Sequence, residues 1–248
     1  MGYAFASPPP EFRHVVLTRL GGVSELPFAS LNLGGTVGDA PAAVQENLRR
    51  VRALWNLTPE QVVSPHQVHG QRVTHVTRAD GGQIIPESDA LMTDEPGVAL
   101  LLRFADCVPV LFYDRARHVA ALAHAGWRGV AAGIVPATVQ ALGEAFGSRP
   151  EDLWAGIGPA IGPEHYEVGV DVVQAVLATL PQGAQVAQQT NGAWQLDLPG
   201  AAAAQLAAAG VAHIVASGIN TAARTDEWYS HRAEQGRTGR FGVLVMLT

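Results

Sequence analysis

The chain has 248 residues, with 16 basic and 22 acidic side chains, a net charge of −6 and 48% hydrophobic residues. This composition excludes a disordered chain, because few residues are charged and many apolar residues are available for a core. The acidic net charge argues against a nucleic-acid partner. Every basic residue is arginine, so lysine chemistry is excluded, and any phosphate must be bound by arginine or by backbone N–H groups.

The cysteine content and the N-terminal residues bear on cellular location. The single cysteine, Cys107, excludes an intrachain disulfide and is typical of a reducing compartment. Residues 1–12 lack the charged and apolar segments of a signal peptide, and no stretch approaches the roughly 18 apolar residues of a membrane span. We therefore expect a cytoplasmic protein without a membrane partner. No repeat or linker divides residues 1–248, which predicts one domain. The oligomeric state does not follow from the sequence.

Short β-branched or aliphatic runs alternate with helical patterns along the chain. Asp39 is the predicted N-cap of the first helix, with Pro41 just inside it, and Gly210 is predicted to end an alanine-rich buried helix. In chain order the prediction is a strand at 13–20, a helix at 41–57, strands at 72–77, 98–104, 108–113 and 118–123, helices at 130–146, 170–180 and 199–210, and a strand at 211–217.

The middle of this pattern places polar residues where strands end. The strands at 108–113 and 118–123 are predicted to form a hairpin, and the second continues into the sequence HAGWRG at residues 124–129. That strand-to-helix turn has free N–H groups, which can bind an anion, and Arg128 lies in it. Pairing of the two strands brings Cys107 close to His124. Asp106 is given no site role, because adjacent strand residues face opposite ways.

Cysteine and histidine together suggest a metal site. A thiolate and two imidazoles suit zinc, and three protein ligands leave a fourth position open for water or substrate. His66 and His69 are three residues apart, and one of them together with His124 is enough to supply the two imidazoles. The alternative is that Cys107 is a buried small hydrophobe, that the histidines are turn residues with hydrogen-bond partners, and that Arg128 forms a salt bridge. The residues alone leave both interpretations open.

A set of motifs occurs in order along most of the chain: TR at 18–19, GGVS at 21–24, LNLG at 31–34, VGD at 37–39, QVHG at 67–70, DA at 89–90, ADCVPV at 105–110, HAGWRG at 124–129, GPAIG at 158–162 and TGR at 238–240. With these motifs the chain resembles the YfiH-like family, also called peptidoglycan editing factors, laccase-domain proteins or polyphenol oxidases. It differs in having Ala222 where members often carry cysteine, and YSHR at 229–232 where SYRR is more usual.

The resemblance implies a fold, a site and an activity. The fold is α+β, a single-domain four-layer α/β/β/α sandwich with mixed sheets. The implied metal and catalytic residues are His69, Cys107 and His124, with zinc as the usual ion and copper as the alternative. The implied activity is phosphorolysis of adenosine, inosine and methylthioadenosine, together with deamination of adenosine. The residues expected to contact substrate or phosphate are Arg128, Arg19, Arg240 and Asn32.

Three other functions use the same residues or none of them. A copper-dependent, laccase-like polyphenol oxidase with several coppers is disfavoured, because the nine histidines contain no His-x-His pair, but a single blue-copper site with Met92 as axial ligand stays open. A metal-free cysteine hydrolase acting in peptidoglycan precursor editing would use Cys107 as nucleophile and His69 or His124 as base. A non-enzymatic partner module would need an exposed apolar stripe, which the sequence does not show.

Overall fold

The computed structural model describes residues 2–6, 8 and 10–248. Its strands, in chain order, are β1 (Gly2–Tyr3), β2 (Phe12–Leu17), β3 (Val62–Pro65), β4 (Val73–His75), β5 (Ile84–Ile85), β6 (Ala90–Thr93), β7 (Ala99–Phe104), β8 (Val108–Asp114), β9 (Val119–Ala125), β10 (Leu153–Ile157), β11 (Glu167–Val168), β12 (Ala187–Thr190), β13 (Ala193–Leu196), β14 (His213–Ala216) and β15 (Phe241–Leu247). Its α-helices are α1 (Pro41–Ala53), α2 (Trp127–Ala132), α3 (Ile134–Phe146), α4 (Val170–Leu177) and α5 (Leu198–Ala208).

The described strands form two large mixed sheets and one small one. Sheet A has the order β1-β2-β15-β7-β3-β5, sheet B has the order β14-β10-β8-β9-β6-β4, and β11, β13 and β12 form the small sheet. Each large sheet combines antiparallel pairs with parallel ones, such as β3 with β7 in sheet A and β10 with β14 in sheet B. Several strands that are consecutive in the sequence lie in different sheets, so the chain crosses repeatedly from one large sheet to the other.

The two large sheets pack face to face, and each carries helices on its outer face. Leu101 of β7 packs with Val51 of α1 on the outer face of sheet A, whereas its neighbour Leu102 packs with Leu122 of β9 between the sheets. On the other face of β9, Ala121 joins a cluster with α3 and α5. Successive strand residues point to opposite faces, so this pattern defines four layers. The expected α/β/β/α sandwich with mixed sheets is thereby confirmed. Because one apolar layer joins both sheets, we propose that residues 1–248 form one domain.

Two helix predictions need correction. The predicted helix at 130–146 is two helices, because Gly133 adopts a left-handed φ of +85° and its N–H ends α2 by donating to the carbonyls of Gly129 and Val130. Asp39 does not cap α1. Ala40 is the N-cap, and Asp39 instead accepts a hydrogen bond from the Ser24 hydroxyl at 2.6 Å. The first helix also ends at Ala53, four residues before the predicted end.

The alanine-rich segment forms the buried helix that the sequence predicts. The Asp197 carboxylate caps α5 by accepting from the Gly200 N–H at 2.8 Å. Ala201 and Ala202 are fully buried, and Gly210 follows the helix with a φ of +89°. No helix among the described residues has both the length and the apolar character needed to cross a membrane.

The hairpin is confirmed, but its second strand is longer than predicted. β8 and β9 pair antiparallel, with Val108 opposite Ala125 and Pro109 opposite His124. His124 therefore lies inside β9 and not in the following turn, because the ladder continues to its C-terminal end. The strands β1, β3, β5, β6, β10 and β15, together with the small sheet, were not among the sequence predictions.

Candidate metal centre

Three side chains meet where the chain crosses between the large sheets. His69 lies between β3 of sheet A and β4 of sheet B, and Cys107 lies between β7 of sheet A and β8 of sheet B. His124 is the penultimate residue of β9. One ligand atom from each residue lies within 4.8 Å of the other two, and the two imidazole centroids are 4.8 Å apart. The structure thus brings together the three residues that the family resemblance implied as metal ligands.

Strand register explains why these side chains face one another. In β9 the even-numbered residues Ala120 and Leu122 point between the sheets, so His124 points there as well. Extending the β8–β9 ladder by one pair past Val108 and Ala125 places Cys107 opposite Gly126. A Cβ atom on Gly126 would lie 2.7 Å from His69 Nδ1 and 3.0 Å from Cys107 Sγ. The space for the cluster therefore exists because residue 126 has no side chain.

Asp89 holds both histidines in position. Its fully buried carboxylate accepts hydrogen bonds through Oδ1 from His124 Nδ1 and from the His69 N–H, both at 2.9 Å. Oδ2 accepts from the N–H groups of Val68 at 3.1 Å and Gly70 at 2.7 Å. These contacts wrap residues 68–70 around the carboxylate and hold His69 at a left-handed φ of +60°. Since Nδ1 of His124 donates to Asp89, Nε2 is left as the ligand nitrogen.

The cluster is charged in the absence of a metal. Burial raises the pKa of the Cys107 thiol, but the charge of His124 and hydrogen bonds from both histidines outweigh burial and lower it to about 6. Burial lowers the pKa of His124, but the Cys107 thiolate and the Asp89 carboxylate raise it to about 9. Each group thus favours the charged form of the other, the thiolate of Cys107 and the imidazolium of His124. Cysteine binds metals as the thiolate and histidine as the neutral imidazole, so metal binding would use the favoured form of Cys107 and would displace a proton from His124.

The cluster opens into a cavity with a positively charged lining. The cavity has a volume of about 700 Å³, which suits a small-molecule ligand. Its lining contains one acidic residue, Asp106. It also contains four arginines, which are Arg103, Arg128, Arg232 and Arg240. Within the described part of the chain, no ion pair involves any of these four guanidinium groups. The cavity lining is therefore net positive, with four guanidinium groups and the single carboxylate of Asp106.

Two of the residues expected to contact phosphate do not line this cavity. The Arg19 guanidinium donates to the Glu234 carboxylate at 3.0 Å and to two backbone carbonyls, and it stacks over the Tyr229 ring. Asn32 is fully buried, and its Oδ1 accepts from the Arg240 N–H at 2.8 Å. Arg19 and Asn32 thus have partners within the fold, which leaves Arg128 and Arg240 as the expected phosphate ligands that line the cavity.

The sequence interpretation gave no role to several residues of the site, among them Asp89, Arg103 and Asp106. Asp89 was recognised only as part of a motif, because its role depends on hydrogen bonds that form in the folded chain. Arg103 was placed inside a predicted strand and given no role. Asp106, left without a role, lines the cavity and joins two loops, since its carboxylate accepts from the Thr221 hydroxyl and the Arg232 N–H, both at 2.7 Å.

Known proteins resemble this chain over nearly its whole length. The family described as multi-copper polyphenol oxidoreductase laccase matches residues 13–248. The chain belongs to this YfiH-like, laccase-domain family. A purine nucleoside phosphorylase of Pseudomonas aeruginosa is 42% identical over 241 residues, which cover 96% of this chain and 95% of that protein.

Two further YfiH-like proteins support the same assignment. The purine nucleoside phosphorylase YfiH of Escherichia coli is 37% identical over 230 residues, which cover 93% of this chain and 91% of that protein. The crystal structure of YlmD from Geobacillus stearothermophilus has a TM-score of 0.95 at 39% identity, and the match covers 98% of this chain and 94% of that one. Both sequence and fold thus place the chain in the YfiH-like family.

The family is described as multi-copper, and a multi-copper centre would need more ligands than the cluster contains. Among the described residues, the His69, Cys107 and His124 cluster is the one group of three such ligands. Met92, which a blue-copper site would need as axial ligand, packs with α3 and α5 on the outer face of sheet B. His124 points to the opposite face, between the sheets. Met92 therefore does not complete a blue-copper ligand set.

Gly126→Ala is expected to abolish metal binding by the YfiH-like site. The added Cβ would overlap His69 Nδ1 and crowd Cys107 Sγ, so the two ligand atoms could not converge. Metal content of the purified variant, measured by mass spectrometry of the elements, should fall to background. Gly35→Ala is the matched control, because a Cβ there meets no atom within 4 Å, and its metal content should equal that of the wild type. A metal-replete Gly126→Ala variant would contradict the assigned ligand positions.

Proposed function

We propose that this protein is a zinc-dependent purine nucleoside enzyme that phosphorolyses adenosine, inosine and methylthioadenosine and deaminates adenosine. The names of the relatives support the substrate class, since those proteins are called purine nucleoside phosphorylases. The observation that carries the proposal is the cavity, in which the His/Cys/His cluster is surrounded by four arginines without ion pairs. Phosphorolysis needs an anionic co-substrate, and this lining attracts one.

The donor set of the cluster fits zinc. A thiolate and two imidazoles are ligands that zinc prefers, and three of them leave one coordination position open, as in catalytic zinc sites. His69, Cys107 and His124 would hold the ion, and the missing Cβ of Gly126 leaves the space between the ligand atoms free. The ion would supply Lewis-acid polarisation of water or of a substrate oxygen.

Arg128 is the first candidate to bind phosphate. It lies in the first turn of α2, next to β9 and its ligand His124. Its guanidinium stacks over the Trp127 ring with 4.5 Å to the ring centroid, and no described residue accepts a hydrogen bond from its N–H groups. Such an arginine can bind two phosphate oxygens at once. Arg240 is the second candidate, since it also lines the cavity.

Two further cavity residues are suited to hydrogen bonding with a nucleoside. Burial and the nearby Cys107 charge raise the pKa of Tyr166 to about 12, so its hydroxyl remains protonated at neutral pH. Arg232 lies over the Tyr166 ring at 5.0 Å and orients it. Burial and the positive charge of Arg240 lower the pKa of His231, so its imidazole is neutral and can accept a hydrogen bond or a proton. Tyr166 and His231 thus offer one donor and one acceptor to the substrate.

The proposed activity is tested by incubating zinc-loaded protein with adenosine, with and without phosphate, and separating the products by chromatography. Adenine that forms only with phosphate would support phosphorolysis. Inosine formed in both conditions would support deamination. If a zinc-replete sample yields neither product, and neither inosine nor methylthioadenosine is cleaved, the proposal is wrong.

Arg128→Ala is expected to raise the KM for phosphate by roughly tenfold to a hundredfold, because a charged hydrogen bond contributes about 1.5–3 kcal/mol. Zinc content should not change, since the guanidinium is not a ligand. Steady-state kinetics at saturating inosine provide the measurement. The matched control is Arg115→Ala in the β8–β9 turn, at the end of β8 remote from Cys107. An unchanged phosphate KM in Arg128→Ala would transfer this role to Arg240 or Arg232.

A metal-free cysteine hydrolase is the second candidate function, because the structure contains a Cys–His–Asp arrangement. His124 forms a hydrogen bond with the Cys107 side chain and donates from Nδ1 to the buried Asp89 at 2.9 Å, as the base of a nucleophilic triad does. Such a hydrolase could act on peptidoglycan precursors, as the family names suggest. It would use a free thiolate at Cys107.

Alkylation by iodoacetamide separates the two candidates. A zinc-ligated thiolate is protected, so Cys107 in protein purified without chelator should react slowly and should react quickly after the metal is removed. Mass spectrometry of the intact protein provides the readout. Rapid alkylation of the protein as purified, together with hydrolysis of a cell-wall precursor, would favour the hydrolase over the nucleoside enzyme.

A further inference from the structure

A second cationic region lies across the cavity from Arg128. Arg128 belongs to α2, which packs on the outer face of sheet B. Arg103 belongs to β7 of sheet A, and Arg240 immediately precedes β15 of the same sheet. Odd residues of β7 such as Leu101, and even residues of β15 such as Leu244, face α1, so Arg103 and Arg240 leave sheet A on its outer face. The cavity thus has arginines on both sides of the His/Cys/His cluster.

Arg103 and Arg240 are joined through one turn. The Arg103 Nε–H donates to the Leu33 carbonyl at 2.6 Å, and the Leu33 N–H donates to the Arg240 carbonyl at 3.0 Å. A Cβ on Gly34 would lie 2.8 Å from the Arg240 side chain, so Gly34 is in contact with it. Residues 34–36 line the cavity between the two arginines. We name this group, formed by residues 34–36 with Arg103 and Arg240, the turn subsite.

The turn subsite has donors without acceptors. Among the described residues, nothing accepts a hydrogen bond from the two terminal nitrogens of Arg103, from the N–H groups of Gly35 and Thr36, or from the Thr36 hydroxyl. Gly35 and Thr36 are exposed in the cavity wall, and a Cβ on Gly35 would meet open space. Arg103 and Arg240 are half-buried, and burial lowers the pKa of both guanidinium groups. Half-buried cations beside free N–H groups match an oxyanion.

The charge of the cavity exceeds what the proposed reaction requires. A purine nucleoside is neutral, and one orthophosphate is accounted for by Arg128. The arginines of the turn subsite form no ion pair among the described residues, and the terminal nitrogens of Arg103 are left without an acceptor, which is costly in a partly buried site. We propose that the turn subsite binds the phosphoryl group of a phosphorylated purine nucleoside, so that the protein accepts nucleotides as well as nucleosides. This inference rests on the proposed function, because it extends the substrate class of the same cavity.

Binding experiments with inosine and inosine 5′-monophosphate test the turn subsite. Inosine cannot be deaminated, and in phosphate-free buffer it cannot be phosphorolysed, so calorimetry on the zinc-loaded protein measures binding alone. The monophosphate should bind at least about tenfold more tightly than inosine. Arg103→Gln should reduce this preference to less than about twofold.

Two further variants keep the test independent of folding. Thr36→Val alters an exposed side chain, so it leaves the fold intact, and it should weaken binding of the monophosphate but not of inosine. Arg115→Gln removes an equal charge from the exposed β8–β9 turn and should change neither affinity. Circular dichroism of Arg103→Gln checks that the loss of the Leu33 contact has not unfolded the protein.

The outcomes separate the turn subsite from the proposed function. Equal affinities for inosine and its monophosphate, or the same preference in Arg103→Gln as in the wild type, would overturn the inference even if adenosine is turned over. Binding of inorganic phosphate that depends on Arg103, without any preference for the monophosphate, would also overturn it, because the subsite would then serve the free co-substrate. A preference for the monophosphate that depends on Arg103, in a protein that converts no nucleoside, would refute the proposed reaction and leave the subsite standing.

Discussion

Cys107→Ser is expected to lower the zinc content from about one ion per chain to less than about a tenth and to abolish turnover of adenosine. Serine cannot supply a thiolate, and the two remaining imidazoles bind zinc much more weakly. The fold should survive, because the side chain lies at a crossover outside the strands and the substitution removes little apolar area. Zinc analysis, product chromatography and circular dichroism of one preparation provide the three measurements.

A second variant shows whether the loss is specific to the cluster. His213→Gln replaces an exposed histidine of β14 that has no place in the site, so this variant should retain zinc and activity. Full zinc content together with full turnover in Cys107→Ser would remove Cys107 from both the metal site and the reaction. Zinc lost with turnover intact would separate the metal from the chemistry.

Asp89→Asn is expected to weaken zinc binding by about tenfold to a hundredfold, as loss of a carboxylate that orients a histidine ligand does. The asparagine NH₂ group would replace one acceptor oxygen and would face N–H donors of Val68 and Gly70 or of the two histidines. The buried donors left without an acceptor should also lower the free energy of unfolding by about 1–3 kcal/mol. Competition with a chromogenic chelator measures the first effect and urea denaturation the second.

The chain contains a suitable control for Asp89→Asn. His75 and Asp94 form a second histidine–carboxylate pair at 3.0 Å, but both side chains are exposed to solvent. Asp94→Asn should therefore change neither zinc affinity nor stability by a measurable amount. If Asp89→Asn behaves like Asp94→Asn, then Asp89 does not orient the ligands, and residues 68–70 must be held by other contacts.

The sequence predicted local structure well and strand pairing poorly. The α5 helix follows from alanine-rich composition and a terminal glycine, both of which act within a few residues. The β15 strand is a continuous apolar run, FGVLVML, that could have been predicted as a buried strand. Its place between β2 and β7 could not, because that order joins the two ends of the chain and depends on packing. Gly133 breaks a helix that apolar periodicity alone continues.

Some features of the candidate site could be predicted from the sequence, and others depend on contacts formed only in the folded chain. The convergence of Cys107 and His124 follows from hairpin register, which the sequence supports, and the choice of His69 over His66 came from family resemblance. The role of Asp89 depends on four hydrogen bonds from residues distant in sequence. Likewise, Arg19 belongs to a motif yet is bound by Glu234, far along the chain. Such contacts are properties of the folded chain and leave no pattern in the sequence.

The position of the cluster on two sheet crossovers has a mechanical consequence. An ion bound by His69, Cys107 and His124 would cross-link the two sheets of the sandwich, because its ligands come from two crossover segments and from β9. Each tenfold rise in free zinc above saturation then adds about 1.4 kcal/mol of resistance to unfolding. At low free zinc, copies of the protein without the ion would have a lower free energy of unfolding as well as no activity. These copies would then be the ones most readily cleaved by proteases.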